Sequence, residues 1–305
     1  MKWGELLKKS WGYFKQHRSL WYLGILAALT EGGIATNFGG GNSDWKATQD
    51  DFPKYGAQAE AWVSAHFAEV ALIALALFII SIIILYISYS ARAGLIHSVI
   101  KLDDENLEPE FHRDFHTGQK YFWQFLGLTI LITLIMLAVG IGAVAIVAGV
   151  FALSFAVSLW FLILAIPVTL ALILGLIAFS VYMNAVLYLA YRVSVIEKKR
   201  IVESIRKARE LIHHNFAHVI LAWLIHAAFN TAFAVAMVIA GLVVIGILTA
   251  IGFGLYYGVG TIATWVYGVI VFIVLMLTTL VLSGGFNAYF SIFWTLVYKK
   301  LSAPK

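Results

Sequence analysis

Residues 121–191 read YFWQFLGLTILITLIMLAVGIGAVAIVAGVFALSFAVSLWFLILAIPVTLALILGLIAFSVYMNAVLYLAY and contain no Asp, Glu, Lys or Arg. Residues 211–298 form a second stretch without any of these four residue types. A helix needs about 20 apolar residues to cross a bilayer. Each stretch therefore has room for two long spans, the first for three at most and the second for four. The two stretches predict an all-α, polytopic membrane protein.

The composition of the whole chain points the same way. Of its 305 residues, 62% are hydrophobic and 12% are charged, against roughly 45–50% and 25% in soluble domains. A soluble globule of this length could not hide so much apolar surface, and a disordered chain would carry more charge. A water-soluble enzyme is therefore excluded. The absence of Cys also excludes disulfides, thiolate nucleophiles and cysteine metal sites.

The distribution of Lys and Arg predicts six spans. Two shorter apolar stretches precede the charge-free ones. Basic residues concentrate in cytoplasmic segments, and if each charge-free stretch is a hairpin, 19 of the 21 basic residues fall on one face. An odd number of spans in either stretch would move a basic block to the other face. The predicted spans are approximately residues 19–36, 68–91, 122–148, 159–191, 217–248 and 265–297.

These spans make residues 1–305 a single transmembrane domain with both termini in the cytoplasm. The outer loop covers residues 37–67. The cytoplasmic segments are residues 1–18, 92–121, 192–216 and 298–305. Several apolar stretches are longer than a ~30 Å hydrocarbon layer requires. We therefore expect tilted helices, or helices that continue past the membrane.

Apolar residues recur every three or four positions in the cytoplasmic segment before each odd-numbered span. This spacing is typical of an amphipathic helix, and the neighbouring membrane favours a helix that lies in its interface. The three stripes are Trp3, Leu6, Leu7, Trp11 and Phe14; Phe111, Phe115, Gly118 and Phe122; and Ile201, Ile205, Ala208, Ile212 and Phe216. The unit of amphipathic helix plus hairpin then occurs three times in parallel, through common ancestry or through generic hairpin topology.

Two cytoplasmic segments carry opposite charge. Residues 101–116 have a net charge of −4, and residues 197–214 have a net charge of +3. The two segments either dock on each other or are both solvated. In the second case the basic segment sets orientation and attracts anionic lipid, at about 1 kcal/mol per charge. The candidate interface for lipid or a partner consists of Trp3, Trp11, Phe14, Phe111, Phe115, Lys198, Lys199, Arg200, Arg206, Lys207 and Arg209.

Few polar residues lie inside the predicted spans. The candidates for a transport path are Asn184, His226, Asn230 and Asn287. Spans three to six have no acidic or basic residue near mid-membrane, where coupled transport normally needs a carboxylate or a broken helix. The four residues therefore fit an uncoupled transporter or channel for a small or lipophilic solute. Alternatively, the asparagines form hydrogen bonds between helices, at about 1 kcal/mol each.

Two histidine pairs have a spacing of four residues, His112 with His116 and His214 with His218. Each pair could share a helix face and hold a metal, but neither has the H-E-x-x-H arrangement of a metalloprotease. Interfacial histidines at headgroup depth give the same pattern. A membrane-embedded histidine metalloenzyme is thus a weaker alternative. We assign no catalytic, cofactor-binding or metal-binding residue.

Two segments resemble a known group of proteins. The first is Trp11…Phe14-Lys15…His17…Leu20-Trp21, and the second is Arg192-Val193-Ser194-Val195-Ile196-Glu197 followed by Glu203-Ser204-Ile205-Arg206. They resemble a broad group of uncharacterised prokaryotic six-span membrane proteins, similar to the membrane domain attached to some glycerophosphodiester phosphodiesterases. The resemblance implies a location in the prokaryotic cytoplasmic (inner) membrane. Because the chemistry of those enzymes belongs to a separate soluble domain, no catalytic residue transfers to this chain.

Together these features predict a non-enzymatic inner-membrane protein that acts as a scaffold or accessory. Its expected partners are membrane lipid and another membrane protein or a second copy of the chain, engaged through the cytoplasmic face. No nucleic acid partner is expected, because membrane orientation accounts for the net charge of +5.

Overall fold

The computed structural model describes residues 2–30, 62–156 and 161–303, without the side chains of residues 153–156 and 161–165. These residues form helices and no strands, which confirms the all-α prediction. The helices are α1 (Trp3–Gln16), α2 (Arg18–Ala28), α3 (Phe67–Glu105), α4 (Phe111–Gln119), α5 (Phe122–Ala156), α6 (Phe161–Ile196), α7 (Ile201–His214), α8 (Phe216–Gly258) and α9 (Thr261–Ser302).

Five helices in the described ranges are long and apolar enough to cross a membrane, as expected of a helical membrane protein. They are α3, α5, α6, α8 and α9. The predicted first span, residues 19–36, begins as α2, but its last six residues lie outside the described ones. The same holds for residues 37–61 of the predicted outer loop. The sixth span therefore stays a prediction.

The long helices extend beyond the length that a bilayer requires. α3 has 39 residues, which gives about 58 Å at 1.5 Å per residue, against a hydrocarbon layer of about 30 Å. It continues through residues 92–105, the first half of a segment predicted to be cytoplasmic. It ends at Asn106, whose φ of 51° is the left-handed conformation common after a helix.

The buried core lies at one end of the bundle, which we call the core end. It takes in residues 88–102 of α3, 185–195 of α6 and 288–301 of α9, where most side chains are buried. The opposite end, the far end, carries exposed apolar side chains such as Leu72, which is 69% exposed. Lipid tails solvate such side chains as well as a protein interior does, so membrane helices gain little by burying them against each other.

The short helices α1, α4 and α7, which match the three predicted amphipathic segments, lie at the core end, and each buries one side. α1 packs on α9, α4 on α3 and α7 on α6. The buried side of α4 shares Gly118 with the predicted stripe and also includes Asp114, whereas Phe111 and Phe115 of the stripe are only half-buried. A Cβ atom on Gly118 would lie 2.0 Å from the Ser90 carbonyl oxygen. Close backbone contact, and not an aromatic stripe, sets the orientation of α4.

Candidate functional site

Residues 198–209 present an exposed basic surface at the core end. We define this basic surface as Lys198, Arg200, Arg206 and Arg209, all of which are exposed. No acidic side chain of the described residues forms an ion pair with them, whereas Lys199 pairs with Glu197 and Lys207 with Glu210. Four positive charges therefore face outward beside the ends of α6 and α8.

The other side of α7 holds the basic surface in place. Ser204, Ala208 and Ile212 are buried there, and the Ser204 hydroxyl donates to the Lys199 carbonyl at 3.2 Å. Where the segment begins, the Tyr298 hydroxyl donates to Glu197 Oε1 at 2.6 Å. The basic surface is thus attached to both α6 and α9.

Glu197 is ionised in this arrangement. Burial alone would raise the pKa of its carboxyl, but hydrogen bonds from Lys199 and Tyr298 outweigh burial and hold the pKa below its usual value. The carboxylate stays charged at neutral pH. The anchor at the start of the basic surface therefore needs no change of protonation.

The aromatic members of the predicted interface separate in the structure. Trp11 is 56% exposed, whereas the Trp3 ring is half-buried and lies 6.4 Å from that of Phe293. Phe14 is buried and stacks on Trp21, with ring centroids 4.7 Å apart. The Phe14 side chain therefore packs against α2 and α9 inside the protein and is not on the exposed face of α1.

Two arginines lie inside the core end. Arg92 comes from α3, and its Cζ lies 5.5 Å from the centre of the Tyr191 ring. Arg192 comes from α6 and is 2% exposed. Its guanidinium lies 5.9 Å from the Tyr188 ring centre and donates to the carbonyls of Tyr188 and Ser291. Such guanidinium–ring contacts contribute about 0.5–2 kcal/mol each.

A small polar cavity adjoins the two arginines. Its volume is about 30 Å³, and Arg92, Arg192, His226 and Asn287 line it together with apolar side chains. The volume suits one or two water molecules. Trp294 Nε1 donates to His226 Nδ1 at 3.1 Å, which leaves Nε2 as the protonated nitrogen of the neutral ring. The cavity is thus rich in hydrogen-bond donors.

Two of the four predicted intramembrane polar residues share this cavity. They are His226 and Asn287. Asn184 is exposed and donates to the Ser180 carbonyl of its own helix at 2.8 Å. Asn230 is also exposed. The four residues therefore do not converge on one path.

Asp103, near the end of α3, joins the first and last helices. It accepts a hydrogen bond from the Tyr13 hydroxyl at 2.9 Å and forms ion pairs with Lys9 and Lys299. Lys299 also pairs with Asp104. Within the described part of the chain, no ion pair joins the acidic segment 101–116 to the basic segment, so the acidic segment docks on α1 and α9 instead.

Asp114 is a buried carboxylate between α3 and α4. It accepts hydrogen bonds from the Ser98 hydroxyl at 2.6 Å, the Glu110 backbone N–H at 3.0 Å and Arg113 Nε at 3.2 Å. Burial alone would raise its pKa. His97 and these donors outweigh burial and lower the pKa to about 2. Asp114 is therefore ionised at neutral pH and ties α4 to α3.

The histidine pairs do not form part of a larger ligand cluster. In the ranges that the structure describes, no three His, Asp or Glu side chains stand close enough to hold a metal together. His214 Nδ1 lies 3.0 Å from the Glu210 carbonyl oxygen, and the His218 ring lies 6.3 Å from that of Trp3. Both histidine side chains are exposed.

A family model matches residues 16–303, and its description is a family of unknown function, DUF7544. The match extends over α2 to α9. The chain belongs to this family. No curated protein and no solved structure matches the chain. For a DUF7544 protein, function must therefore be argued from geometry.

The interior positions of Arg92 and Arg192 in this DUF7544 protein do not follow from the charge distribution, which assigns both residues to cytoplasmic segments. A local signal does exist. Arg92 follows Tyr89 by three residues, and Arg192 follows Tyr188 by four, so each arginine shares a helix face with a tyrosine. The guanidinium of each arginine lies within 6 Å of its tyrosine ring centre, at 5.7 Å and 5.9 Å.

Proposed function

We propose that the protein is a non-enzymatic, six-span scaffold of the prokaryotic inner membrane that binds anionic lipid headgroups of the cytoplasmic leaflet. The observation that carries the proposal is the basic surface. Its four exposed cationic side chains flank the membrane-spanning helices: Arg206 and Arg209 stand on α7, whose other side is buried, and Lys198 and Arg200 stand on the segment that leads into α7. Each charge near an anionic surface contributes about 1 kcal/mol.

The path of the chain supports the sixth span. α1 lies at the core end, where the Tyr289 hydroxyl of α9 contacts the Leu7 carbonyl oxygen at 3.5 Å. Phe67 begins α3 at the far end, about 58 Å from the end of that helix. A crossing by the segment between α2 and α3 would fit these two positions and would add a sixth span to the five apolar helices.

The orientation follows from the basic residues. A core end that faces the cytoplasm would satisfy the positive-inside rule for 19 of the 21 Lys and Arg side chains. It would also bring the basic surface to the leaflet with the negative surface potential. The resemblance to prokaryotic six-span proteins supports an inner-membrane location.

The test replaces the basic surface and measures lipid selectivity. A variant with Lys198→Gln, Arg200→Gln, Arg206→Gln and Arg209→Gln is reconstituted in nanodiscs of mixed phosphatidylglycerol and phosphatidylcholine. Retained lipid is then counted by native mass spectrometry. We expect at least a tenfold loss of phosphatidylglycerol preference, since about 1.4 kcal/mol corresponds to tenfold. The preference of the wild-type protein should also weaken as salt screens the charges.

A matched control separates local binding from net charge. Lys8→Gln, Lys15→Gln, Lys120→Gln and Lys300→Gln remove the same charge from exposed positions outside the basic surface. This control should keep its phosphatidylglycerol preference. Equal loss in both variants, or no loss in the first, would contradict the proposal. If the basic-surface variant keeps its lipid preference, its other properties indicate the true ligand. A protein that co-purifies only with the wild type would indicate a membrane partner, and a dimer seen only for the wild type would indicate a second copy of the chain.

An uncoupled transporter or channel is the second candidate. The observation that favours it is the polar cavity that His226 and Asn287 share with two arginines. Proteoliposomes loaded with chloride, a solute small enough for a cavity of this volume, should then release it faster than protein-free liposomes, and Asn287→Ala should change the rate. Equal release from both preparations would remove this candidate.

A further inference from the structure

A second, larger cavity lies between α8 and α9 at the far end. Its volume is about 480 Å³, within the 300–1,000 Å³ typical of small-molecule sites. Residues from both helices line it, among them Ile245, Tyr256, Thr264, Gly268 and Leu275. None of its lining residues is charged. A ligand with ionic groups would leave them unpaired here.

The cavity has a polar end and an apolar end. Tyr256 and Thr264 stand near the turn that joins the two helices, whereas Ile245 and Leu275 line the other end. In each helix these residues are 11 positions apart, which corresponds to about 16 Å along the axis. One leaflet of a ~30 Å hydrocarbon layer is about 15 Å deep. The cavity therefore has the length and the polarity gradient of one lipid leaflet.

The cavity is a built feature of the hairpin. The Tyr267 hydroxyl of α9 donates to the Leu248 carbonyl of α8 at 2.9 Å and links the two walls. The ring lies against Gly252, where a Cβ atom would be in van der Waals contact with Tyr267 Cε1 at 3.5 Å. Ile245 is 54% exposed and Tyr256 49% exposed, so the cavity opens sideways toward the surroundings of the helices.

We propose that this cavity binds one acyl chain of a phospholipid from the leaflet at the far end, with the ester region of the lipid beside Tyr256. The site is separate from the basic surface, which lies at the opposite end and binds headgroups. The surrounding bilayer supplies the ligand, and the open side of the cavity admits a chain without passage through water. Two lipid sites at opposite ends would fix the protein in both leaflets.

The test fills the cavity. A Cβ atom on Gly268, which lines the cavity, would meet no atom within 4 Å, so the side chain of Gly268→Leu starts in open space. The probe is phosphatidylglycerol with a diazirine on its acyl chain, in nanodiscs, with cross-links mapped by peptide mass spectrometry. The introduced side chain should displace about two methylene groups of the bound acyl chain, at about 0.8 kcal/mol each. Cross-links on residues 245–275 should therefore fall about tenfold. Val271→Phe fills the same cavity by a different side chain and should act alike.

The control is Gly246→Leu, which also meets no atom within 4 Å but does not line the cavity. It should leave the cross-links unchanged. Unchanged cross-links in both filled variants, or cross-links spread evenly over all apolar helices of wild type, would overturn the proposal. A free diazirine fatty acid that labels residues 245–275 and excludes the phospholipid would overturn it in favour of a free lipophile. Phosphatidylglycerol preference at the basic surface should persist in every one of these variants, so the two proposals fail independently.

Discussion

Asp114 shows how one buried charge positions a helix. The protein lowers its pKa from the ordinary 3.8 to about 2, so the charged form gains about 2 kcal/mol in the folded state. Because the folded pKa is the lower one, this stabilisation is present above about pH 4 and is lost as the pH falls toward 2. We predict that Asp114→Asn lowers the melting temperature in detergent at pH 7. The difference from wild type should narrow below pH 4.

The control for this prediction is Glu108→Gln, since the Glu108 side chain is exposed on the same segment. It should leave the melting temperature nearly unchanged. A difference between Asp114→Asn and wild type that stays constant from pH 7 to pH 3 would show that shape, and not charge, holds α4 on α3.

The sequence could not identify Asp114 or Arg192 as buried. A periodic pattern assigns charged residues to solvent, because an unpaired buried charge is costly. Both residues avoid that cost through partners on other helices. Asp114 uses the Ser98 hydroxyl, and Arg192 uses the Ser291 carbonyl, which is 99 positions away in the chain. Only the folded structure brings such partners together.

At the scale of elements, Asp103 connects α1 and α9 to α3. Its two ammonium partners are partly exposed, which limits each pair to about 1 kcal/mol or less. We predict that Asp103→Asn increases hydrogen exchange of α1 about fivefold, as expected for a loss of about 1 kcal/mol in local stability. Hydrogen–deuterium exchange with peptide resolution over residues 3–16 measures it.

Glu5→Gln provides the comparison, because Glu5 pairs with Lys2, the residue just before α1, at 3.1 Å, and both side chains are exposed. It should leave exchange of α1 unchanged. If exchange rises equally in both variants, the stability of α1 comes from its intrinsic helix formation and not from its attachment to Asp103.

Element positions were more predictable than their contacts. Apolar spacing is a local property, so the helices α1 and α7 fall on the segments that the spacing indicated. The sequence predicts that the second span ends near residue 91, but α3 continues to Glu105. A change from apolar to charged residues marks the edge of the membrane and does not by itself end a helix. The orientation of α4 depends on Gly94 and Gly118, whose backbones approach too closely for a Cβ atom. The sequence gives no sign that these two glycines meet.

At the scale of the whole molecule, the bundle is joined at its core end and open at its far end. In four of the five apolar helices, the most apolar window contains no buried residue. The composition predicts a membrane protein because it gives the total amount of apolar surface. Composition does not predict which helices pack together, since lipid-facing and protein-facing side chains have the same polarity in a membrane. The polar cavity at the core end therefore had to be found from the structure.

Topology provides the last prediction, and the absence of Cys makes it accessible to single introduced cysteines. Six spans with a cytoplasmic core end put residue 43 and Val259 on the outer face and Ser302 on the inner face. We predict that Ser43→Cys and Val259→Cys react with a membrane-impermeant maleimide in intact cells, whereas Ser302→Cys reacts only after permeabilisation. Lys8→Cys, at an exposed position of α1, should likewise react only after permeabilisation. Labelling of Lys8→Cys in intact cells would reduce the count to five spans, because residues 19–36 would then not cross. Labelling of Ser302→Cys alone would reverse the orientation and remove the basic surface from the anionic leaflet.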